Sequence, residues 1–301
     1  MDRNIDDQYR SVLRQATDRL RTCLSDAPAG SGETPYLDAL VLLGHAASLS
    51  TEELFGSLHD EVPQSILVRF QSLIEERCRG IPVSYLRGAK EFYGREFSVG
   101  PGVLVPRPDT EILVETALGE IDVRGSDSLH LHDCCTGSGC VAITIACERA
   151  CTMTASDIST DALAYAIRNA RLLGASQAAF WHGDLLEPLR ARIKAGMAPP
   201  SIITANPPYV ADNEVENLTA RGWPEPSIAL DGGTTGTMIV KRLAEEAASC
   251  LSDGGCLIVE IGADQGALAS RLFEEAGFTE IDVIRDLGDR DRVCRGRWYR
   301  Q

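Results

Sequence analysis

The chain has 301 residues, 44% of them apolar and 24% charged, with a formal charge of −15 at pH 7. That apolar share excludes a disordered chain, no apolar run reaches membrane-spanning length, and the acidic balance argues against unassisted nucleic-acid binding. Ten cysteines form no Cys-x-x-Cys; they match neither a disulfide framework nor a zinc spacing, so buried thiols in a reducing compartment are expected, and no metal.

The opening "MDRNIDDQYRSVLRQATDRL" mixes charges at a helical period. It reads neither as a secretory signal nor as an acid-poor transit peptide, so a cytoplasmic protein is expected. The pattern stays helical to about Ser84. Val12, Leu13, Ala16 and Leu20 share one face, and "SDAPAGSGETP" follows as a Gly-, Pro- and Ser-rich loop. A second helix is predicted over Leu37–Ser48. Ser50 or Thr51 caps a short third, with Glu53 in its first turn, and Pro63 opens a fourth that runs through Arg79. Together they suffice for a small bundle.

Composition changes at Gly80. "EFYGREFSVGPGVLVP" reads as a β-hairpin turning at Gly94, and "RPDTEILVETAL" begins a helix, with Asp109 or Thr110 as its cap and Glu111 in its first turn. Beyond Leu129, strands and helices alternate. The predicted strands are Leu129–Cys134, Met153–Ser156, Ala179–His182, Ile202–Ala205, Cys256–Ile261, Glu280–Ile284 and Val293–Tyr299. That rhythm predicts an α/β fold: a Rossmann-like, doubly wound, mostly parallel seven-stranded sheet. The short link "RDLGDRD" makes the last strand antiparallel.

"LHLHDCCTGSGCVAITIA" is strand, turn, helix, and Gly137 and Gly139 allow a tight turn and a close approach to a ligand. Asp157 follows at the end of the next strand, eighteen residues after Gly139, where a carboxylate meets a ribose hydroxyl. This pattern means an adenosine-like ligand and does not choose between a nicotinamide cofactor and S-adenosylmethionine. The next helix carries Ala162, Leu163, Ala166, Ile167, Ala170 and Leu173 on one face, with Gly174 at its end. Asp184 stands after the third strand, either beside an adenine amino group or in solvent. His130 and His132 alternate on their strand, and His132 precedes Cys135 by three residues; this is read as no metal site.

The stretch "SIITANPPYV" ends a buried strand in Asn206-Pro207-Pro208-Tyr209. Two prolines stop the strand, and in open α/β sheets ligands bind at this end. An amide nitrogen is a poor nucleophile because its lone pair is delocalised. A site can hold its two N–H groups on acceptors, so that the lone pair faces an electrophilic methyl. The Asn206 side-chain oxygen and the Pro207 carbonyl are candidate acceptors, and the Tyr209 ring can pack on the planar group.

With these motifs the chain resembles the class I S-adenosylmethionine-dependent methyltransferases that act on amide or exocyclic amino nitrogens. "LVPRPDTEILVE", "ASDISTDALAYAIRNARLLG", "EPSIALDGG" and "GDRDRVCRGRW" narrow the resemblance to the PrmC/HemK type. Those enzymes methylate the glutamine amide in the Gly-Gly-Gln motif of class I peptide-chain release factors. The resemblance implies a helical substrate-recognition domain over residues 1–84 and a junction hairpin with the methyltransferase domain over 85–301. It implies that Cys135, Thr136, Gly137, Ser138 and Gly139 hold S-adenosyl-L-methionine, that Asp157 binds its ribose, and that Asp184 and Leu185 lie near its adenine. Asn206, Pro207, Pro208 and Tyr209 would bind the glutamine, with Asn206, Pro207 and Tyr209 catalytic and Asn206 also among the residues that bind the cofactor. The family usually has Gly where Cys135 stands and often an aromatic where Leu185 stands, departures that bear on cofactor affinity rather than on the chemistry. The implied partner is a release factor, with no nucleic acid or membrane. The motif is shared by adenine-N6 DNA methyltransferases, which the acidic charge disfavours, and by glutamine methyltransferases of a large-subunit ribosomal protein, which the "PRPDTE" junction resembles less. A cofactor-binding scaffold without catalysis is disfavoured by the intact Asn-Pro-Pro-Tyr.

Overall fold

A computed structural model of the chain describes residues 7–24, 34–125 and 129–300. Residues 1–6 of the opening segment and 25–33 of the predicted Gly-, Pro- and Ser-rich loop lie outside the described residues. The chain divides into two compact units, Met1–Ala89 with Gly222–Pro224, and Lys90–Arg221 with Glu225–Gln301.

The first unit contains α1 (Tyr9–Cys23), α2 (Pro35–Ala47), α3 (Thr51–Gly56), α4 (Gln64–Cys78) and α5 (Val83–Arg87). Helix α1 buries Val12, Leu13, Ala16 and Leu20, and they meet Leu42, Leu43, Leu54, Phe70 and Ile74 in one core. Helix α2 starts two residues before the predicted Leu37, because Pro35 fits the first helical turn, where no N–H is needed. Ser50 is the cap of α3: its hydroxyl accepts the Glu53 N–H while the Glu53 carboxylate accepts the Ser50 N–H. A buried ion pair, Arg77 to Asp38 at 2.8 Å, ties α4 to α2.

A two-stranded hairpin, β1 (Ala89–Phe92) and β2 (Arg95–Ser98), turns through Tyr93 and Gly94. Both have positive φ, +51° and +70°, as a two-residue turn needs to match the strand twist. Phe92 and Phe97 meet edge to face below it, with ring centroids 6.0 Å apart. Helix α6 (Glu111–Arg124) is entered through a 3-10 turn over Pro108–Thr110. Neither Asp109 nor Thr110 caps it with its side chain. Asp109 instead pairs with Arg292, and Thr110 accepts a hydrogen bond from Asn206. Tertiary partners outcompete the local cap.

The sheet is built from β3 (His130–Cys134), β4 (Thr152–Asp157), β5 (Ala179–His182), β6 (Ile202–Ala205), β7 (Gly255–Glu260), β8 (Thr279–Arg285) and β9 (Asp291–Trp298). Between them run α7 (Cys140–Glu148), α8 (Thr160–Leu172), α9 (Glu187–Lys194), α10 (Asp212–Ala220), α11 (Met238–Ala248) and α12 (Gly266–Glu275). The strand order is β5-β4-β3-β6-β7-β9-β8, with β9 antiparallel to both its neighbours. Strand order reverses between β3 and β6, which opens a crevice at their carboxyl ends. Two apolar clusters form on the sheet, one with α6, α7 and the hairpin, the other with α9, α11 and α12.

Polar side chains thread the sheet. His132, fully buried, shares hydrogen bonds with Thr154 (2.9 Å) and Ser156 (3.0 Å) and stacks on Trp181. Burial holds its pKa down at about 3, so the ring is neutral. His130 bonds Thr154 and the Ala198 carbonyl. Of the ten cysteines, only Cys134, Cys250, Cys256 and Cys294 are fully buried, while Cys23 and Cys147 are exposed. Among the described residues no helix is long and apolar enough to cross a membrane.

Helix α8 departs from its predicted face at two positions. Ile167 is exposed, and Asn169 is buried in its place. The Asn169 amide donates to the Ser98 carbonyl (3.0 Å) and the Ser138 carbonyl (2.9 Å), and its oxygen accepts the Ser98 N–H (2.8 Å). One side chain thus ties the hairpin to the glycine loop. Asn169→Ala leaves these groups without partners. We predict a loss of about 2–4 kcal/mol of stability, measurable by urea unfolding.

Candidate active site

A cavity of about 490 Å³ opens at the carboxyl ends of β3, β4 and β6. Its wall includes Cys135, Thr136, Gly137, Ser138, Asp157, Asp184, Leu185, Asn206 and Pro208. The β3–α7 loop makes the floor. Gly137 has φ +57° with nothing within 4 Å of where a Cβ would sit, so its backbone faces open space. Gly139 does not line the cavity. A Cβ there would lie 2.7 Å from Ile143 and 3.2 Å from Ala166, so this glycine lets α7 pack against α8.

Cys135 sits at φ +56° and Leu185 at φ +44°. Left-handed backbone is unfavourable for residues with a Cβ. That is the physical reason a glycine suits the Cys135 position.

Asp157 is held by the backbone. One carboxylate oxygen accepts the Gly137 N–H and the other the Ser159 N–H, each at 2.8 Å. Burial raises its pKa and those N–H groups oppose the rise. Each oxygen keeps a lone pair that can take a hydroxyl. Asp184 lines the cavity, and Arg242 of α11 donates to it at 2.6 Å. That ion pair engages one oxygen of a half-exposed carboxylate.

Sequence reasoning missed Asp133, an acid inside the "HLHDC" strand. It is buried, lines the same cavity, and accepts hydrogen bonds from Thr136 (2.6 Å) and Thr204 (2.7 Å). Burial pushes its pKa up to about 6. The signal was available, since an acid in an apolar parallel strand needs partners.

A smaller cavity of about 100 Å³ adjoins, lined by Leu104, Arg107, Asn206, Pro207, Tyr209, Val210, Ala229 and Leu230. Leu104, Arg107, Asn206 and Ala229 border both cavities. The Asn206 amide donates to Thr110 Oγ1 at 3.2 Å. The Tyr209 hydroxyl donates to Glu260 Oε1 at 3.3 Å, and burial beside that carboxylate raises the phenol pKa. The Asn-Pro-Pro-Tyr backbone is clamped by the segment "LDGG". Val210 donates to the Leu230 carbonyl, Gly232 donates to the Val210 carbonyl, and the Gln265 side chain donates to the Tyr209 carbonyl at 2.9 Å. A Cβ on Gly232 would lie 2.8 Å from the Pro208 carbonyl, so this close approach requires glycine.

Cys135→Gly removes a left-handed non-glycine residue but adds unfolded-state entropy. Relief of about 1–2 kcal/mol against a cost of about 0.5–1 predicts equal or up to about 1.5 kcal/mol higher stability, checked by chemical denaturation.

The PrmC N-terminal domain family model matches residues 11–88. The chain is 40% identical to a release factor glutamine methyltransferase of Moorella thermoacetica over 285 residues, covering 93% of this chain and 96% of that one. It is 36% identical to the release factor glutamine methyltransferase of Neisseria gonorrhoeae over 272 residues, covering 90% and 96%. A methyltransferase structure from Pyrococcus furiosus superposes with a TM-score of 0.51 at 16% identity, covering 76% of this chain and 98% of that one; it shares the fold. At this identity over almost its whole length, the chain belongs to the release factor glutamine methyltransferase family.

Proposed function

We propose that this enzyme transfers a methyl group from S-adenosyl-L-methionine to the side-chain amide nitrogen of the glutamine in the Gly-Gly-Gln loop of class I peptide-chain release factors. One observation carries the reading: a large cavity and a small one share Asn206 as a common wall. A cofactor in the first and a planar amide in the second would meet at this residue.

The residues present fit the cofactor. The open face of Gly137 admits a close ligand, the two oxygens of Asp157 keep lone pairs for ribose hydroxyls, and Leu185 adds apolar wall. When bound, S-adenosylmethionine supplies an electrophilic methyl on a sulfonium. The chain orients the nucleophile. Asn206 Oδ1 and the Pro207 carbonyl accept the two amide N–H groups, which leaves the nitrogen lone pair toward the cofactor cavity. Tyr209 and Pro207 confine the amide plane in the smaller cavity. Preorganised acceptors and orientation are the catalytic terms. None of the residues lining either cavity comes from the helical unit. The proposal therefore gives residues 1–84 a role in holding the release factor and no part in the chemistry. The reading implies a cytoplasmic enzyme.

The test is transfer of labelled methyl to a release factor and to its Gln→Glu variant. A glutamate offers no amide hydrogens and leaves both acceptors unpaired, so discrimination of about 10⁴-fold or more is expected. Equal labelling of both, or labelling of added DNA or of ribosomal protein alone, overturns the assignment.

Two variants separate binding from chemistry. Asp157→Ala should weaken cofactor binding by about 1.5–3 kcal/mol in calorimetry. Asn206→Ala should retain most of that affinity and lose single-turnover rate.

A further inference from the structure

Two pairs of thiols are in contact among the described residues. Cys134 and Cys135 lie 3.9 Å apart, but they are neighbours in sequence, and a bridge between them would force the intervening peptide out of plane. Cys23 and Cys78 differ. They are 55 residues apart in the chain, and their sulfurs lie 2.6 Å apart. Two cysteines can be bridged without backbone movement only when their side chains converge, and these two converge.

The helices that carry them hold this arrangement. Cys23 is the last residue of α1 and Cys78 the last of α4. About one turn earlier on each helix, on the same faces, Arg19 meets Glu75 at 3.8 Å. Leu20 of α1 and Ile74 of α4 are buried in one core. The thiol contact is therefore set by the packing of α1 on α4. It also remains within reach of solvent, since Cys23 is exposed and Cys78 half-buried.

We propose that Cys23 and Cys78 are a redox-active dithiol, a modification site at which hydrogen peroxide closes a reversible disulfide between α1 and α4. The inference is independent of the proposed substrate. In a reducing compartment the pair stays a dithiol, and the bridge forms when an oxidant appears. Cys23, the exposed member, meets the peroxide first. Its thiolate attacks one peroxide oxygen, the O–O bond breaks, and Cys23 becomes a sulfenic acid. The other oxygen leaves as hydroxide and takes up the proton that the Cys23 thiol had released, giving water. The Cys78 sulfur then attacks the Cys23 sulfur, the S–O bond breaks, and a second water leaves with the Cys78 proton. Two thiols are oxidised by two electrons in all, and one peroxide is reduced to two waters. Burial and the neighbouring Cys23 thiol push the Cys78 pKa up to about 11, with Arg19 opposing the rise. Cys78 is thus protonated near neutral pH, which suits it to the second step rather than the first.

Helices α2 and α3 and all of α4 before its last residue lie between the two cysteines, so the bridge closes a loop around most of the helical unit. Such a link acts chiefly by constraining the unfolded chain, and it pins two helix ends that would otherwise fray. No residue lining either cavity comes from the helical unit, so the bridge leaves the cofactor site as it is.

The experiment treats the reduced full-length enzyme with a small molar excess of hydrogen peroxide. Two of the ten thiols should be lost. Peptide mapping should show a peptide holding Cys23 joined to one holding Cys78, lighter by two hydrogens, and dithiothreitol should restore both. Amide hydrogen exchange in the last turns of α1 and α4 should be at least about tenfold slower in the oxidised enzyme. The calorimetric Kd for S-adenosylmethionine should stay within about threefold of the reduced enzyme. Cys78→Ser should stop at a Cys23 sulfenic acid, trapped with dimedone. A map with no Cys23–Cys78 peptide, or with these cysteines linked only between molecules, overturns the proposal, and this reading needs no variant to fold. Unchanged exchange refutes the pinning of the helix ends, a larger change in Kd refutes its confinement to the helical unit, and failure to trap a sulfenic acid refutes Cys23 as the first thiol attacked. None of these readouts uses a release factor, so failure of the methylation assay leaves them standing.

Discussion

Strand β3 pairs in parallel with both β4 and β6, and this constrains everything else in the catalytic unit. Parallel neighbours need crossovers: the chain runs from β3 through α7 to β4 on one side, and after β5 it crosses back through α9 to β6 on the other. No helix can then cover the carboxyl end of the gap between them. The glycine loop, Asp157 and Asn-Pro-Pro-Tyr all stand at that end of the sheet because each ends or directly follows one of these strands. The cavity is thus a consequence of topology, and the side chains only decide what it accepts.

Buried polar groups turn the gap into a site of fixed shape. Asp133 joins the glycine loop to β6 through Thr136 and Thr204. Asn169 joins the loop to the hairpin, and two backbone N–H groups hold Asp157. Each of these would be a liability if left unpaired in so apolar a setting. Fully bonded, they restrict the loop to one conformation, which lowers the ordering cost when a ligand binds. Two residues with a Cβ, Cys135 and Leu185, persist in left-handed backbone there. Such conformations survive where the surroundings over-determine them.

The substrate side uses stiffness of another kind. Two prolines limit the backbone of Asn-Pro-Pro-Tyr, and Gly232, Leu230 and Gln265 clamp it from outside. The acceptors of the proposed mechanism therefore come from backbone that cannot relax and from one amide held by Thr110. Catalysis by orientation requires this, since a freely rotating acceptor would give back in entropy what it gained in contact.

By itself the sequence determined what is local. Helical periods, strand runs, the turn at Tyr93-Gly94 and the strand-turn-helix around Gly137 are encoded by neighbours a few residues apart, and each was legible. Asn-Pro-Pro-Tyr was legible for the same reason. What lay beyond reach were pairings across long stretches of chain: Asn206 with Thr110 at a separation of 96 residues, Asn169 with Ser98 at 71, Asp184 with Arg242 at 58 and Tyr209 with Glu260 at 51. A polar residue's pattern position says whether it can be buried, as with Asn169 on the apolar face of α8, but not what it will meet. Asp109 and Thr110 looked like helix caps because a local bond is always available to them. The folded chain offered both a better partner, and only the tertiary structure brings such partners within hydrogen-bond reach.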